Sequence, residues 1–551
     1  MHCNQIKLMR VYTVKEFMKN ILFFGLLFCS INLQAQLTSS PNQARAGGNR
    51  ELIELLHADS VVIINDELVE VNRFAGNVKF QHKGSVMYCD LAVQNKLTNL
   101  IEAFGRVRLV QGDTVTVTGD TLNYFGDTRL AIVTGRKAVL EDQARTLTTT
   151  RIEYDMNSNI ARYPYPGKTI DSTSTLSSRE GYYNTRTKEY TYYHDVELVN
   201  EKYTLTTDTL LYNSLTKWSY FRGQTEIINK DGTVTGTRGR YHTETEESIF
   251  ETRTTVKDEQ YTLTGDSLQY DSKNQYGYAK GNVEIVSLKD SLILHGNEGI
   301  YRGSEGISKV FGRGLVSKYF ASGDTLFIRA DTLYSLENKS DSTRQLIADS
   351  NVFLFREDFQ AICDSLTFNT GDSVIKFFRD PVLWSDNSQM IADTITSYLV
   401  NDKINRMLLR SNAFVISKDT ALVQYNQVKG RTITAFFTES SQISLVDVNG
   451  NGESAYYATD DKMNMIGLNR VESGQMKLKF EDNRILRITY TGPADGKLIP
   501  PHEIRTENRQ LEGFRLRESE KPTREKTKWL EEPMDSVFFE QTVDKNEENT
   551  R

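Results

Sequence analysis

The sequence predicts an all-β protein in which bent antiparallel strands form one elongated stack. Apolar and polar residues alternate in short runs, as in Val115 and Val117 with threonines around them, and this period of two is typical of half-buried strands. The runs recur about every 29 residues, for example from Asp364 to Asp393, and a fixed period of this length indicates stacked repeats. Proline is scarce, at 9 residues, while 27 Tyr and 26 Phe suit strands with aromatic-rich faces.

The chain begins with a segment typical of secretory signals, residues 1–35. Lys15 and Lys19 precede the apolar run 21–28, and Ala35 ends a plausible cleavage site. The alternative is an uncleaved membrane anchor, although the apolar run is short for a helix that spans a bilayer. Residues 36–57 follow as a polar linker.

Residues 58–430 predict a β-repeat domain in which each repeat has two corners. At the first corner the inward parity changes, because Val117 and Leu122 are five residues apart with Gly119 and Asp120 between them. Strand side chains alternate between faces, so both can point inward only if the strand bends there, and Gly119 permits the bend. A second corner at Gly135 lies about half a repeat later. Each repeat therefore predicts two bent antiparallel strands. Further first corners begin at Cys89, Thr207, Gly265, Ala330, Cys363 and Ala392, and further second corners at Gly76, Gly105, Gly223, Gly281 and Gly312.

The C-terminal part of the chain departs from the repeat. In residues 431–500 the period blurs but alternation continues, which predicts a closing β segment that caps the stack. Residues 501–551 are charged and poor in aromatic residues, and they predict a polar, flexible tail.

The residues that could carry chemistry form no known motif. The histidines are scattered without metal-ligand spacing, and the chain has no nucleophile elbow or phosphate-binding loop. A net charge of -7 without a long basic block gives no support for nucleic-acid binding. The aspartate at each corner resembles a catalytic or calcium-binding series, but hydrogen bonds to nearby backbone amides in a turn explain it. We therefore expect no enzyme activity, no metal and no cofactor.

Two cysteines, Cys89 and Cys363, lie beyond the signal segment, and each directly precedes a corner aspartate. We interpret them as small buried core residues, with reactive thiols or metal ligands as the alternative. They are 274 residues apart, about nine repeats. Because a disulfide needs Cα atoms within about 7 Å, we expect both thiols to be free.

Two corner copies carry a longer pattern. Residues 89–92 (Cys-Asp-Leu-Ala) lead to 103–107 (Ala-Phe-Gly-Arg-Val), and 266–270 (Asp-Ser-Leu-Gln-Tyr) lead to 279–283 (Ala-Lys-Gly-Asn-Val). This pattern resembles the OstA/LptA family of lipopolysaccharide-transport proteins, over most of residues 58–430. Members fold as an open, V-shaped β-jellyroll whose apolar trough carries the acyl chains of lipopolysaccharide across the periplasm, without chemistry. This chain has many more repeats than a small periplasmic member, which leaves its exact role in transport open.

The resemblance implies a ligand, partners and a location. The ligand would be lipopolysaccharide or another acylated lipid, and the protein would be periplasmic or associated with the outer membrane. Partners would be other β-jellyroll transport proteins, joined through strand edges near residues 58–80 and 440–488, unless the tail covers the second edge. From parity we nominate inward-facing lipid-binding residues: Val78, Phe80, Val107, Leu109, Val117, Leu122, Tyr124, Leu205, Leu210, Leu263 and Leu268.

Two other functions remain open. The chain could be a secreted structural or adhesive repeat protein, in which the nominated residues only fill a core. A glycan-active β-helix enzyme would need a local cluster of acids and bases, which the sequence does not show. An open seam along the bent sheet would favour lipid binding, and a closed, packed cross-section would favour the structural role.

Overall fold

The computed structural model describes residues 51–66, 69–112, 115–143, 145–287, 289–340, 343–460, 462, 464–481 and 484–528. These residues form a single antiparallel sheet of 35 strands, so the prediction of an all-β fold is confirmed. The predicted signal segment and the linker up to residue 50 lie outside the described residues.

The first half of the sheet contains β1 (Glu54–His57), β2 (Ser60–Asp66), β3 (Val69–His82), β4 (Ser85–Asn95), β5 (Leu100–Gln111), β6 (Val115–Phe125), β7 (Leu130–Asp142), β8 (Arg145–Asp155), β9 (Ile160–Tyr163), β10 (Gly167–Ile170), β11 (Ser174–Ser178), β12 (Glu180–Asn184), β13 (Glu189–Asn200), β14 (Tyr203–Asn213), β15 (Trp218–Asn229), β16 (Gly232–His242), β17 (Glu247–Phe250), β18 (Thr254–Lys257), β19 (Tyr261–Gly265) and β20 (Ser267–Asp271).

The second half contains β21 (Tyr276–Ser287), β22 (Leu292–Arg302), β23 (Ile307–Tyr319), β24 (Thr325–Asn338), β25 (Thr343–Phe355), β26 (Gln360–Asn369), β27 (Val374–Phe378), β28 (Val382–Ser385), β29 (Ser388–Ile391), β30 (Thr394–Val400), β31 (Lys403–Asp419), β32 (Gln424–Phe437), β33 (Ile443–Thr459), β34 (Met465–Glu481) and β35 (Arg484–Ile499).

The strands follow one another as a meander of rungs, where a rung is one crossing of the sheet. Most rungs are single bent strands, but seven are split into two strands at the bend. For example, β9 and β10 both pair with β8. Within the described residues, the 35 strands therefore make 28 rungs. Residues 431–500 continue the same meander as long strands.

Bulges mark the bends, and they lie along one line of the sheet that we call the corner row. Between β5 and β6 the pairing passes from Phe104–Thr121 to Val107–Gly119, so that Gly105 and Arg106 both face Asp120. Gly105 has φ +75° and Arg106 has φ +41°, both in the left-handed region.

The role predicted for Gly119 needs correction. This glycine is not among the residues with positive φ, whereas the second-corner glycines Gly76, Gly105, Gly223, Gly281 and Gly312 are. A Cβ at Gly119 would lie 2.5 Å from a methyl group of Val133 on the next strand. The position requires a small residue because the neighbouring strand packs closely against it. Cys89, Ala330 and Cys363 are small residues at equivalent positions.

The inward face of the bent sheet forms one continuous apolar cluster. All eleven residues nominated from parity belong to it, and each is at most 3% exposed. The change of parity between Val117 and Leu122 therefore brings both into the interior, as the corner model requires.

Cys89 and Cys363 are buried and free, as predicted. Burial raises the pKa of the Cys89 thiol to about 11 and that of Cys363 to about 12. Thiols with such high pKa values are poor nucleophiles at neutral pH, which agrees with a packing role.

Between β35 and residue 528, the last described residue, the chain forms short helices: the α-helix Thr506–Arg509 and 3-10 turns at Pro501–Glu503, Glu518–Glu520 and Arg524–Thr527. Helices in the described part of the chain are all too short and polar to cross a membrane. The sequence places these residues in a flexible tail, but residues 501–528 lie against the sheet, while 529–551 are outside the described residues. The described tail forms no strand pair with β35, so it does not cover that edge by pairing.

Candidate functional site

Two rows of turns face each other across the interior of the bent sheet. The first row includes turns 171–173, 201–202 and 258–260, and the second includes 185–188 and 243–246. We call the line where the rows meet the seam. Among the described residues, no backbone–backbone hydrogen bond crosses the seam. Only side chains close it.

Ionic and hydroxyl contacts make these closures. Lys188 Nζ lies 2.6 Å from Asp142 Oδ2, and Lys202 Nζ lies 2.7 Å from Glu246 Oε1. Farther along, the Tyr261 hydroxyl donates to Glu337 Oε2 at 3.1 Å. Neighbouring turns within the second row, in contrast, are joined by backbone bonds such as that from the Ser214 N–H to the Lys188 carbonyl at 3.2 Å. Backbone hydrogen bonds thus connect the turns within a row, whereas side-chain contacts connect one row to the other.

Between residues 142 and 244 the seam holds a cavity of about 890 Å³. Lys202 and Lys217 line its rim, and Leu176 and Leu198 line its inner part. The cavity therefore connects a polar, partly cationic mouth with the apolar interior. A second opening of about 550 Å³ lies between residues 230 and 339.

Tyrosines and a half-buried arginine form the cavity wall. The rings of Tyr183 and Tyr190 stack with centroids 4.1 Å apart. The Arg145 guanidinium lies 4.9 Å from the Tyr190 ring centroid and 4.7 Å from that of Tyr212, and it pairs with Asp171 at 3.0 Å. Burial acts to raise the pKa of Asp171, but hydrogen bonds from the Thr173 and Ser174 amides, with the Arg145 charge, hold it below its ordinary value. This wall keeps its charges paired.

Asp142 sits deepest in the wall and is only partly satisfied. Its Oδ2 accepts hydrogen bonds from Lys188 and from the Tyr183 hydroxyl. Its Oδ1 is buried and has no hydrogen-bond partner among the described residues.

Another arginine, which is buried, closes the seam near residue 340. Arg344 is 4% exposed, pairs with Asp290 and with Glu337 at 3.4 Å, and lies 5.1 Å from the Tyr261 ring centroid. Burial lowers the pKa of Arg344 to about 10. The apolar interior is thus sealed from water by a charged group at this point.

The structure places the eleven nominated residues in the core, and none of them lines either cavity. Their assignment as lipid-binding residues stays a prediction. The residues that do line the larger cavity, such as Arg145 and Tyr190, were missed by parity. A sequence signal was present, because tyrosines replace aliphatic residues at inward positions 183, 190 and 192.

The corner aspartates have a structural role, but their partners differ from the prediction. Asp120 accepts from a backbone amide of the next corner, the Arg136 N–H at 2.9 Å. At several other corners the partner is instead a side chain that follows the next corner, as in Arg106 Nε to Asp90 at 2.9 Å and Asn282 to Asp266 at 2.8 Å. The left-handed backbone of that residue directs its side chain back over the aspartate. No group of three His, Cys, Asp or Glu residues within the described ranges could hold a metal ion.

Comparison with known proteins agrees with this repeat chemistry. Residues 50–208 and 204–266 match the family described as OstA-like protein. This part of the chain is similar to the OstA-like family. The resemblance carried by the corner pattern is therefore confirmed for residues 50–266. No curated protein matches the chain.

Among solved structures, the chain is similar to LptH from Pseudomonas aeruginosa, described as the LptA-homologous periplasmic component of the lipopolysaccharide transport device. The two are 14% identical over 22% of this chain and 82% of LptH, with a TM-score of 0.19.

Proposed function

We propose that this chain is a non-enzymatic lipid-binding protein of the periplasm, which takes the acyl chains of lipopolysaccharide or another acylated lipid between the halves of its bent sheet. The observation that carries the proposal is that only side chains close the seam. The halves can therefore separate about the corner row without breaking any strand pairing. A fully hydrogen-bonded barrel would have to lose backbone bonds to admit the same ligand.

The cavity supports an amphiphilic ligand. Its rim carries Lys202 and Lys217, and Leu176 and Leu198 lie deeper. The two lysines pair with Glu246 and Glu244 in the closed seam, and an opened seam would offer them to an anionic or hydroxyl-rich headgroup. Each CH₂ group of an acyl chain buried there would contribute about 0.8 kcal/mol. That gain offsets the exposure of core residues when the seam opens.

The OstA-like match and the signal-like N-terminus support the class of ligand and the location. Partners would be other β-jellyroll transport proteins that pair with the free edges of β2 or β35. We infer that the apolar surface of β2 serves this pairing, since Val62 and Ile63 are more than half exposed.

A structural repeat protein is the second candidate, and one observation favours it. The eleven nominated residues are fully packed by protein, without space for a ligand. The two candidates differ in whether the seam opens, and this difference can be measured.

The test introduces an aspartate either at a residue that lines the cavity or at a residue of the packed core, and compares the effects on stability and bound lipid. Leu198 lines the cavity, whereas Leu122 is 0% exposed and lines neither cavity. In Leu198→Asp the carboxylate can reach water through the cavity, so we expect a smaller loss of stability than in Leu122→Asp, together with a severalfold loss of bound lipid. In Leu122→Asp the buried carboxylate should destabilise the fold by several kcal/mol. Leu198→Met, which stays apolar, is the matched control and should retain lipid.

Bound lipid is counted by mass spectrometry after incubation with lipopolysaccharide or with phospholipid micelles, and stability by thermal melting of the same samples. A parent protein that captures neither lipid would contradict the proposal and support the structural candidate.

A further inference from the structure

A second apolar surface lies on the outer face of the sheet, opposite the main core. On β31, Val415 points into the interior cluster, while its neighbours Phe414 and Ile416 belong to a separate cluster on the other face. On β24, Leu326 and Ile328 likewise face the interior, while Phe327 between them points to the outer face. We call this surface the outer stripe and define it by Phe327, Trp384, Ile391, Phe414, Ile416 and Leu468.

Residues 504–528, which we call the strap, run across the outer stripe. Leu511 is 3% exposed and packs in the cluster of Phe414 and Ile416. The Phe514 ring meets the Phe414 ring edge-on, with centroids 6.5 Å apart. Farther along, the Arg524 guanidinium lies 3.6 Å from the Phe327 ring centroid. The strap thus uses a few side chains as anchors on an apolar surface.

Two buried glutamines hold the strap by its backbone. Gln427 donates to the Arg509 carbonyl at 2.7 Å and accepts from the Leu511 N–H at 2.8 Å.

Gln389 makes the same pair of hydrogen bonds six residues further along the strap. It donates to the Arg515 carbonyl at 2.7 Å and accepts from the Arg517 N–H at 2.7 Å. Both glutamines are 2% exposed. Each amide therefore bonds a carbonyl and the N–H two residues later, a contact that any extended polypeptide can make.

The strap can leave without damage to the sheet. Within the described residues, it makes no backbone–backbone hydrogen bond to any strand. Its removal would expose aromatic side chains and break the hydrogen bonds that the two glutamine amides make to the strap, which favours replacement by another segment of similar chemistry. Asp380, which pairs with Arg517 at 2.7 Å, adds a preference for a basic residue.

We propose that the outer stripe is a docking surface for an extended polypeptide segment of a partner protein, and that the strap occupies it in cis until displaced. The partner segment carries two apolar residues three apart, like Leu511 and Phe514, followed by a basic residue. Backbone capture by Gln427 and Gln389 supplies affinity, and the two apolar anchors supply selectivity. This surface is separate from the seam and does not depend on lipid binding.

The test releases the strap in the full-length chain and offers a peptide in its place. Leu511→Asp with Phe514→Asp removes the anchors and leaves the sheet unchanged. We expect a fluorescent peptide of residues 504–528 to bind this variant saturably, and to bind the parent at least tenfold more weakly because the parent's own strap competes. Adding Gln389→Ala and Gln427→Ala should weaken peptide binding to the released variant at least tenfold.

Gln345→Ala is the matched control, since Gln345 is an exposed strand residue on β25, and it should leave peptide binding unchanged. Hydrogen exchange on the same proteins follows the amides of Leu511 and Arg517. We expect faster exchange of these amides in the released variant, and also when the two glutamines alone are replaced in the parent, with unchanged protection of the strands.

Three results would overturn the proposal. The released variant could fail to bind the peptide while its strands stay protected. The parent's strap amides could exchange as fast as those of the free peptide. The released variant could also form a stable dimer by light scattering without binding peptide, which would assign the surface to a second copy of the chain.

Discussion

Along the corner row, an aspartate and a glycine from neighbouring strands share space that two larger side chains would need. A Cβ at Gly105 would lie 2.6 Å from Asp90 Oδ2, and one at Gly281 would lie 2.6 Å from Asp266 Oδ2. Glycine at the second corner thus meets two needs, a left-handed backbone and room for the preceding aspartate. The two corner series in the sequence are therefore halves of one contact.

A comparison of Gly105→Ala with Gly84→Ala separates the cost of the left-handed backbone from the cost of steric overlap with the aspartate. Gly84 also has a left-handed backbone, at φ +79°, but nothing lies within 4 Å of an added Cβ. We expect Gly84→Ala to cost about 1 kcal/mol of unfolding free energy from backbone strain. Gly105→Ala should cost about 2–4 kcal/mol, since steric overlap is added. Denaturant unfolding measures both, and equal costs would contradict the shared-space interpretation.

One buried histidine, His82, should make the stability of the fold depend on pH. His82 is 3% exposed, and its Nδ1 lies 2.7 Å from the Tyr124 hydroxyl. Burial, with the nearby charges of Lys83 and Arg129, lowers the pKa of His82 below 6.5. Between the folded pKa and 6.5 the unfolded chain binds more protons than the folded chain, so this histidine's contribution to stability is lost as the pH falls below 6.5.

We expect thermal stability to fall between pH 7.5 and 5.5, and to fall less in His82→Gln. His502→Gln, at an exposed position, should reproduce the parent's pH profile. A parallel loss of stability in the parent and in His82→Gln would contradict the assignment.

At the scale of elements, the first rung is exposed. Strand β2 pairs only with β3, and its side chains Val61, Val62, Ile63 and Ile64 are 40 to 63% exposed. A strand with unpaired backbone groups and apolar side chains on both faces is a template for adding another strand. The sequence predicted this edge near residues 58–80, but not that its apolar residues would be exposed on both faces.

Charges on this strand should reduce self-association. We expect Val62→Lys with Ile63→Lys to weaken association severalfold in sedimentation experiments, because lysines on an edge strand oppose edge-to-edge pairing. Unfolding free energy should change by no more than about 0.5 kcal/mol, as for other exposed positions. Val423→Lys is the control, since Val423 is 69% exposed in a turn far along the chain. Equal association of all three proteins would argue against pairing at β2.

For the whole molecule, the meander converts distance in sequence into distance along the sheet. Rungs lie about 4.8 Å apart, so residues one repeat apart are separated by about 10 Å. Cys89 on β4 and Cys363 on β26 are 18 rungs apart, which explains why these two thiols are free.

Energy transfer between labelled turns tests this stacking. The four native cysteines are first replaced by alanine, and two doubly labelled variants are then made. Labels at Thr98→Cys and Ser158→Cys are separated by four rungs, or about 19 Å, and labels at Thr98→Cys and Asp372→Cys by 18 rungs, or about 86 Å. We expect high transfer for the first pair and little for the second. High transfer in both pairs would show that the repeats do not stack in sequence order.

The tertiary structure decided three features that no local pattern encodes. The closure of the seam depends on pairs such as Lys188 with Asp142, and the strap depends on Gln389 with Arg517, 128 residues apart. The tyrosine wall of the cavity depends on Arg145 lying between rings from two other strands. Such contacts join residues with no fixed spacing, so they leave no period in the sequence.

The sequence by itself determined the all-β class, a repeat of bent strands with corners at the named positions, and the inward direction of all eleven residues nominated from parity. This was possible because alternation of faces and left-handed glycine geometry are properties of a few consecutive residues. Whether the interior is open or filled, and what covers the outer face, depends instead on how distant side chains meet once the sheet has bent. Those contacts exist only in the folded chain.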